Sequence, residues 1–299
     1  MKKSISCLLL CAMLCNRPLY TFIYQVIVLE RINPASGKKQ RFIGLSDFHD
    51  KKNSANAAQL FCVKDFLHKQ DKAASKIILE DLSSTKNGAY GGCRRFQINS
   101  RGGILGGLAQ SCSRKGLQVD NVEYRYCRVA ALGPLLNNAH KKIHDFPSTC
   151  GLMVSDIVDE INAAIVDIVK YTKCCAALQA YRERILKKIY PHMRELNLTK
   201  ELKRSMADYV HQGCLTNNRF QLLKRLLIFD SALLDLKLAQ SILDADTCDT
   251  IIAVTGGSHI ARVQEILESA GYTPIYSNPS NPKKEPKPLD LDFLKGFLR

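Results

Sequence analysis

The strongest constraint on this chain is a stretch of nearly unbroken helical patterning, 148–245, that lies between two sets of strand signals. Within it, Ile157, Ile161, Ala164, Ile165 and Ile168 recur every three or four residues with charged residues between them, the stripe of an amphipathic helix. Helices are expected at 152–172, 174–196, 199–213 and 218–245, and nothing between them reads as strand.

On the N-terminal side, 24–32 (YQVIVLERI) and 41–46 (RFIGLS) read as strands joined by an Asn-Pro-Ala-Ser-Gly turn, the makings of a hairpin. A helix at 53–70, a short apolar strand at 76–80 (KIILE) and another strand at 119–124 follow. On the C-terminal side, 250–254 (TIIAV) restores the strand signal, a helix covers 260–270 with Gly271 ending it, and 273–276 is a last strand. Strand, helix, strand in succession makes βαβ units, and continuous apolar runs such as KIILE and TIIAV suit parallel strands buried on both faces. The expected fold is therefore α/β, a mainly parallel sheet flanked by helices, with an inserted or capping helical subdomain. The expected segments are 1–20 signal peptide, 21–147 first part of the α/β core, 148–246 helical insertion or cap, 247–277 second part of the core, and 278–299 a Pro- and Lys-rich tail.

The N-terminus sets the expected location. Lys2 and Lys3 precede an apolar run that breaks at Asn16-Arg17-Pro18, the layout of a secretory signal and too short for a spanning helix. Cleavage is expected near residues 16–20, giving a secreted or periplasmic protein with no stable transmembrane segment. Export permits disulfides, but the twelve cysteines form no CxxC pair and define neither a zinc ribbon nor a thioredoxin motif. The net charge of +15 favours anionic surfaces in general. The basic residues are spread along the chain, so no specific nucleic-acid partner is expected.

Polar chemistry gathers at three strand ends: Ser46-Asp47-Phe48-His49-Asp50, Glu80-Asp81, and Gly256-Gly257-Ser258-His259. Ligands of open α/β sheets bind beyond the carboxyl ends of the strands. If the three strands are parallel neighbours, His49, Glu80 and His259 converge there. Each histidine follows a glycine and is expected to open a helix. Two imidazoles and a carboxylate suit a general acid/base pair or a divalent metal, with Asp47 beside His49 as a further ligand or an N-cap. Neither Ser46 nor Ser258 lies in GxSxG, which argues against a serine nucleophile. His140 and His144 lack an HExxH carboxylate and read as a solvated face, and His68, His192 and His211 as structural.

Three segments resemble the TraB/TIKI and erythromycin-esterase/ChaN-like superfamily: 42–50, with a glycine ahead of a histidine, Ile77-Ile78-Leu79-Glu80, and 254–272, with a GxxH turn, a helix and Gly271-Tyr272. Val122-Glu123-Tyr124-Arg125 is similar to a family element that brings a glutamate and an arginine close to the site. The resemblance covers roughly 40–130 and 248–277 and leaves the helices between untouched. It implies a hydrolase acting on a peptide or an ester. His49 would serve as base or metal ligand, Glu80 would orient it or share the metal, and His259 would be the second ligand or the acid. Arg125 would hold a substrate anion or stabilise developing charge, unless it forms an ordinary salt bridge. The metal would be Mn, Co or Zn. Two rivals share the fold: a non-catalytic binder of haem or metal, as in ChaN-like members, and a host-directed interaction protein.

Overall fold

The computed structural model describes residues 20–50, 56–80, 104–122, 153–171, 176–196, 199–205, 208–209, 217–278 and 289–297. The expected signal peptide, Glu123, Arg125, His140, His144 and His211 lie outside these residues.

Six strands form one sheet: β1 (Tyr20–Ile32), β2 (Lys39–Asp50), β3 (Ser75–Leu79), β4 (Gln118–Asn121), β5 (Thr250–Gly256) and β6 (Thr273–Asn278). Their order is β4-β3-β5-β2-β1-β6. The four strands β4, β3, β5 and β2 are parallel, and β1 runs antiparallel to both β2 and β6. The fold is α/β with a mostly parallel sheet, as the alternating strand and helix signals imply. β1 and β2 form the expected hairpin, in which Asn33 accepts the Ala35 amide through its side chain at 2.9 Å.

Both faces of the sheet are covered. On one, α1 (Asn56–His68), α2 (Ile104–Arg114) and a C-terminal 3-10 helix (Asp292–Phe297) bury Val63, Phe66, Leu67, Leu108 and Leu294 against Ile43, Leu45, Ile77 and Val254. On the other lie α3 (Val154–Tyr171), α4 (Ala176–Leu196), the short α5 (Thr199–Leu202), α6 (Asn217–Leu243) and α7 (Gly257–Ser269). Their apolar stripes, including Ile157, Ile185, Leu238 and Val263, form one cluster with Phe42, Ile78, Ile251 and Ala253 of the sheet. The helices that enter the chain between β4 and β5 therefore share a core with the sheet. Among the described residues no helix is long and apolar enough to cross a membrane.

The C-terminal segment docks by its aromatic residues. Phe293 stacks on Tyr276 with ring centroids 5.2 Å apart, and the Arg41 guanidinium lies 5.5 Å from the Phe297 ring centre. Burial alone would raise the Glu30 carboxyl, but Lys39 and Arg41, each within 2.8 Å, hold it below its ordinary value.

One expectation needs correction. β2 does not end at Ser46. It continues through Phe48 and His49 to Asp50, with His49 opposite Thr21 of β1, and α1 is described from Asn56. β5 stops at Gly256, opposite Asp47. The last three residues of β2 therefore find their backbone partners on β1 alone, so polar residues that look like a turn remain in a strand. His49 does not open a helix, whereas His259 does, in the first turn of α7.

The sheet creates its own crevice. β5 lies between β2 and β3, which are successive strands in the chain. The helix leaving β5 covers one face and the helices leaving β2 and β3 cover the other, so the connections part at the carboxyl edge of β5. Gly44 lets α7 close on this region. A Cβ there would lie 3.0 Å from both Ile260 Cγ2 and Ile27 Cγ1. Gly44→Val should lower the unfolding free energy by about 1–3 kcal/mol through overpacking, read as an earlier midpoint in urea denaturation with an unchanged slope.

Candidate active site

The parting edge carries the candidate site, and the turn Gly256-Gly257 is its floor. Glu80, one residue beyond β3, continues the ladder by donating its amide to the Val254 carbonyl at 3.2 Å. Its side chain turns back across β5, where Oε2 accepts the Gly256 amide at 2.8 Å. Glu80 thus caps the entry to α7 from a neighbouring strand, and α7 has no side-chain cap of its own.

His259 is 4% exposed and is held from the helical layer. Its Nδ1 lies 2.6 Å from Oδ1 of Asp235, a wholly buried residue of α6. Arg262 Nη2 also lies 3.1 Å from that nitrogen. A guanidinium only donates, so the two contacts compete for one ring atom. The short contact to a carboxylate decides between them: Nδ1 carries the proton and donates it to Asp235, and Arg262 approaches because it shares the same acceptor. The lone pair of the neutral ring then sits on Nε2, which faces Glu80 Oε1 at 4.0 Å. That separation is too long for a direct hydrogen bond and short enough for one small polar atom to reach both groups.

Asp235 is a hub. Oδ1 accepts from His259 and from Arg262 Nη2 at 3.2 Å, and Oδ2 accepts from Arg262 Nε at 2.5 Å and from the Tyr181 hydroxyl of α4 at 2.8 Å. Arg262 is anchored further by Ser231 at 3.0 Å. Burial and the Asp235 charge push the Tyr181 phenol up. Burial works to lower Arg262, but the hydrogen bond and charge of Asp235 outweigh it and leave the guanidinium more firmly protonated than usual. The carboxylate therefore has both a compensating cation and a full set of donors, which makes its burial tolerable.

The opposite wall comes from the hairpin. The Tyr24 hydroxyl lies against Gly257 so closely that a Cβ there would fall 1.7 Å from it. Burial first and the Asp47 charge second raise the Tyr24 phenol, which remains a donor. Asp47 is 4% exposed and level with Gly256 across the β2–β5 ladder.

The structure thus brings Asp47, Glu80 and His259 to one edge, on three adjacent parallel strands and the first turn of α7. The backbone of His49 lies on the same strand end, about 7 Å along β2 from Asp47 at the usual rise per residue. Arg125 lies outside the described residues. Asp235, Arg262, Tyr181 and Tyr24 were not anticipated. The signal for Asp235 was a lone acid inside Ala232-Leu233-Leu234-Asp235-Leu236, and for Arg262 its place one helical turn after His259. His68, read as structural, pairs with Ser111 at 3.0 Å, far along the chain from this edge.

Among the described residues no group of three or more His, Cys, Asp or Glu side chains is arranged to hold a metal ion. Glu80 Oε1 and His259 Nε2 supply two donors, and the other histidine nitrogen is engaged by Asp235. No protein-family model, curated protein or solved structure matches this chain.

Removing the hub should be costly. Asp235→Ala leaves a buried imidazole N–H and a buried phenol without their acceptor and the half-exposed Arg262 guanidinium without its carboxylate, and should lower the unfolding free energy by about 1–3 kcal/mol for each buried donor left unsatisfied. Equilibrium chemical denaturation checks this. A change within experimental scatter would mean that the carboxylate does not hold these three groups.

Proposed function

We propose that this chain is a hydrolase of the TraB/TIKI and erythromycin-esterase/ChaN-like type, acting on a peptide or ester bond at the carboxyl edge of the sheet. The observation that carries this reading is the line Asp235–His259–Glu80, with Nδ1 of the histidine held at 2.6 Å and Nε2 turned to the edge, 4.0 Å from a carboxylate. The likeness of 42–50, 77–80 and 254–272 to that superfamily supports it further. The signal-like N-terminus supports export to a secreted or periplasmic location.

In this reading a water lies between His259 Nε2 and Glu80 Oε1. It attacks the carbonyl carbon, one of its protons passes to Nε2, and Glu80 accepts a hydrogen bond from the other O–H. The imidazolium keeps its Nδ1–H on Asp235, which balances the charge without taking the proton. When the tetrahedral intermediate collapses, Nε2–H protonates the departing alkoxide or amine and the histidine returns to its starting form. Asp235 is a positioning residue, since it acts through His259. Were a divalent metal to take part, His259 and Glu80 would be its first two ligands, with His49 and Asp47 the remaining candidates, and Mn, Co or Zn would supply polarisation of the water.

The test uses full-length protein with p-nitrophenyl acetate and a quenched fluorogenic peptide mixture. His259→Ala should reduce kcat/KM by about 100- to 10,000-fold on whichever probe is turned over. Asp235→Asn should reduce it while retaining more stability than Asp235→Ala. EDTA treatment separates the two versions: loss of activity restored by Mn, Co or Zn supports metal assistance, and unchanged activity supports the metal-free path. Turnover indifferent to His259, or none on either probe, would sink the proposal.

A further inference from the structure

We propose that Tyr24 is the hydroxyl donor of this site, binding the carbonyl oxygen on which negative charge develops, and that Gln59 is the residue that positions it. The inference rests on the hydrolytic reading and adds a substrate-facing group to it.

The β1–β2 ladder shifts register between Ile23, opposite Asp47, and Gln25, opposite Ser46, so Tyr24 is the extra residue of a bulge. A bulge of this kind leaves backbone groups unpaired and re-aims a side chain. Here the pairing is restored from outside the sheet. Gln59 of α1, 7% exposed, accepts the Ile23 amide at 2.7 Å and donates to the Ile23 carbonyl at 2.8 Å. The same Gln59 amide group donates to the Leu289 carbonyl at 2.9 Å, and the Leu289 amide donates to Ile23 at 3.0 Å. One glutamine therefore fastens the bulge to the segment that leads into the C-terminal 3-10 helix.

The bulge has a consequence at the edge. It sends the Tyr24 ring across to Gly257, where only glycine leaves room for the hydroxyl. One residue earlier, the Gly256 Cα faces His259 Cδ2 and Glu80 Oε2, which would lie 3.3 and 3.5 Å from a Cβ there. The phenol and the Glu80–His259 pair thus flank two successive residues of one turn. Burial first, and the charge of Asp47 on β2 second, make a proton-bearing hydroxyl the favoured form. A neutral donor at this point suits an acceptor oxygen, such as a peptide or ester carbonyl on its way to an oxyanion. Tyr24 moves no proton in this scheme; it lends a hydrogen bond that strengthens as charge builds.

The experiment is a double-mutant cycle in the full chain on the same two probes, with Tyr24→Phe, Gln59→Leu and the pair, and His259→Ala as reference. Tyr24→Phe should lower kcat/KM by about 100-fold, mostly in kcat, with the fold retained. Gln59→Leu should cause a smaller loss. The double variant should be no worse than Tyr24→Phe alone, because Gln59 acts through Tyr24. An unchanged kcat/KM in Tyr24→Phe, or losses that multiply, would overturn the inference while a His259-dependent activity left the hydrolytic reading standing. If wild type turns over neither probe, the hydrolytic reading and the donor role fail together. Amide hydrogen exchange then decides the positioning alone: Gln59→Leu should speed exchange at 257–259 as well as at 23–25, and faster exchange confined to 23–25 would refute it.

Discussion

A carboxylate with no exposure to water governs the architecture around the edge of the sheet. Asp235 sits on a helix whose buried neighbours are mostly leucine, isoleucine and alanine, with Phe229, and its four hydrogen bonds reach a neighbouring helix, a basic residue and the first turn of the helix leaving the central strand. Each partner needs the others. Without Arg262 the buried charge would be uncompensated, and without Asp235 the arginine and the histidine ring would be stranded. Through this one group the long helical layer is more than a cover for the sheet: it decides which way His259 faces. The apolar contacts of the layer are permissive about orientation, whereas a charge-assisted hydrogen bond is directional.

Close approach is the second constraint, and it is set by absent side chains. Gly44 allows the helix after β5 to settle onto β2, and Gly257 leaves room for a phenol from the hairpin. Gly44 lies within β2, level with Ala253 of β5, and Gly257 is part of the turn itself. The floor of the site is built from backbone, and the Gly256 amide spends its one hydrogen bond on Glu80. That bond explains why a carboxylate from β3 remains at the mouth of β5.

Much of the fold was legible in the sequence, and the reasons are local. KIILE and TIIAV are uniformly apolar and bounded by polar residues, so they read as strands wherever they are placed, and their parallel pairing follows from the helices between them. Glu80 and His259 were legible as strand-end residues because the strands themselves were clear. The end of β2 was not legible: Ser46 to Asp50 has the composition of a turn, and for Phe48 to Asp50 it is pairing with residues 20–22 of β1 that keeps the backbone extended. Asp235 was hidden because an acid in a leucine-rich helix, like Asp230 one turn and a half earlier, looks like a point on a solvent face until the neighbouring helices are in place. Tyr24 was hidden for a different reason. In an alternating strand it is one aromatic among several, and what singles it out is a register shift fixed by Gln59, which lies 36 residues from Ile23 in the chain. Long-range hydrogen bonds of that kind leave no periodic trace.

The central claim concerns a single proton. With Asp235 on Nδ1, the neutral imidazole of His259 must keep its hydrogen on that nitrogen and offer its lone pair at Nε2, toward Glu80. Nitrogen-15 NMR of the histidine side chains, with the His259 resonance assigned by its loss in His259→Gln, reads the tautomer directly. The expected result is a neutral ring with a protonated Nδ1 and a bare Nε2. A neutral ring that carries its hydrogen on Nε2 would contradict the Asp235 contact and remove the base from the edge of the sheet.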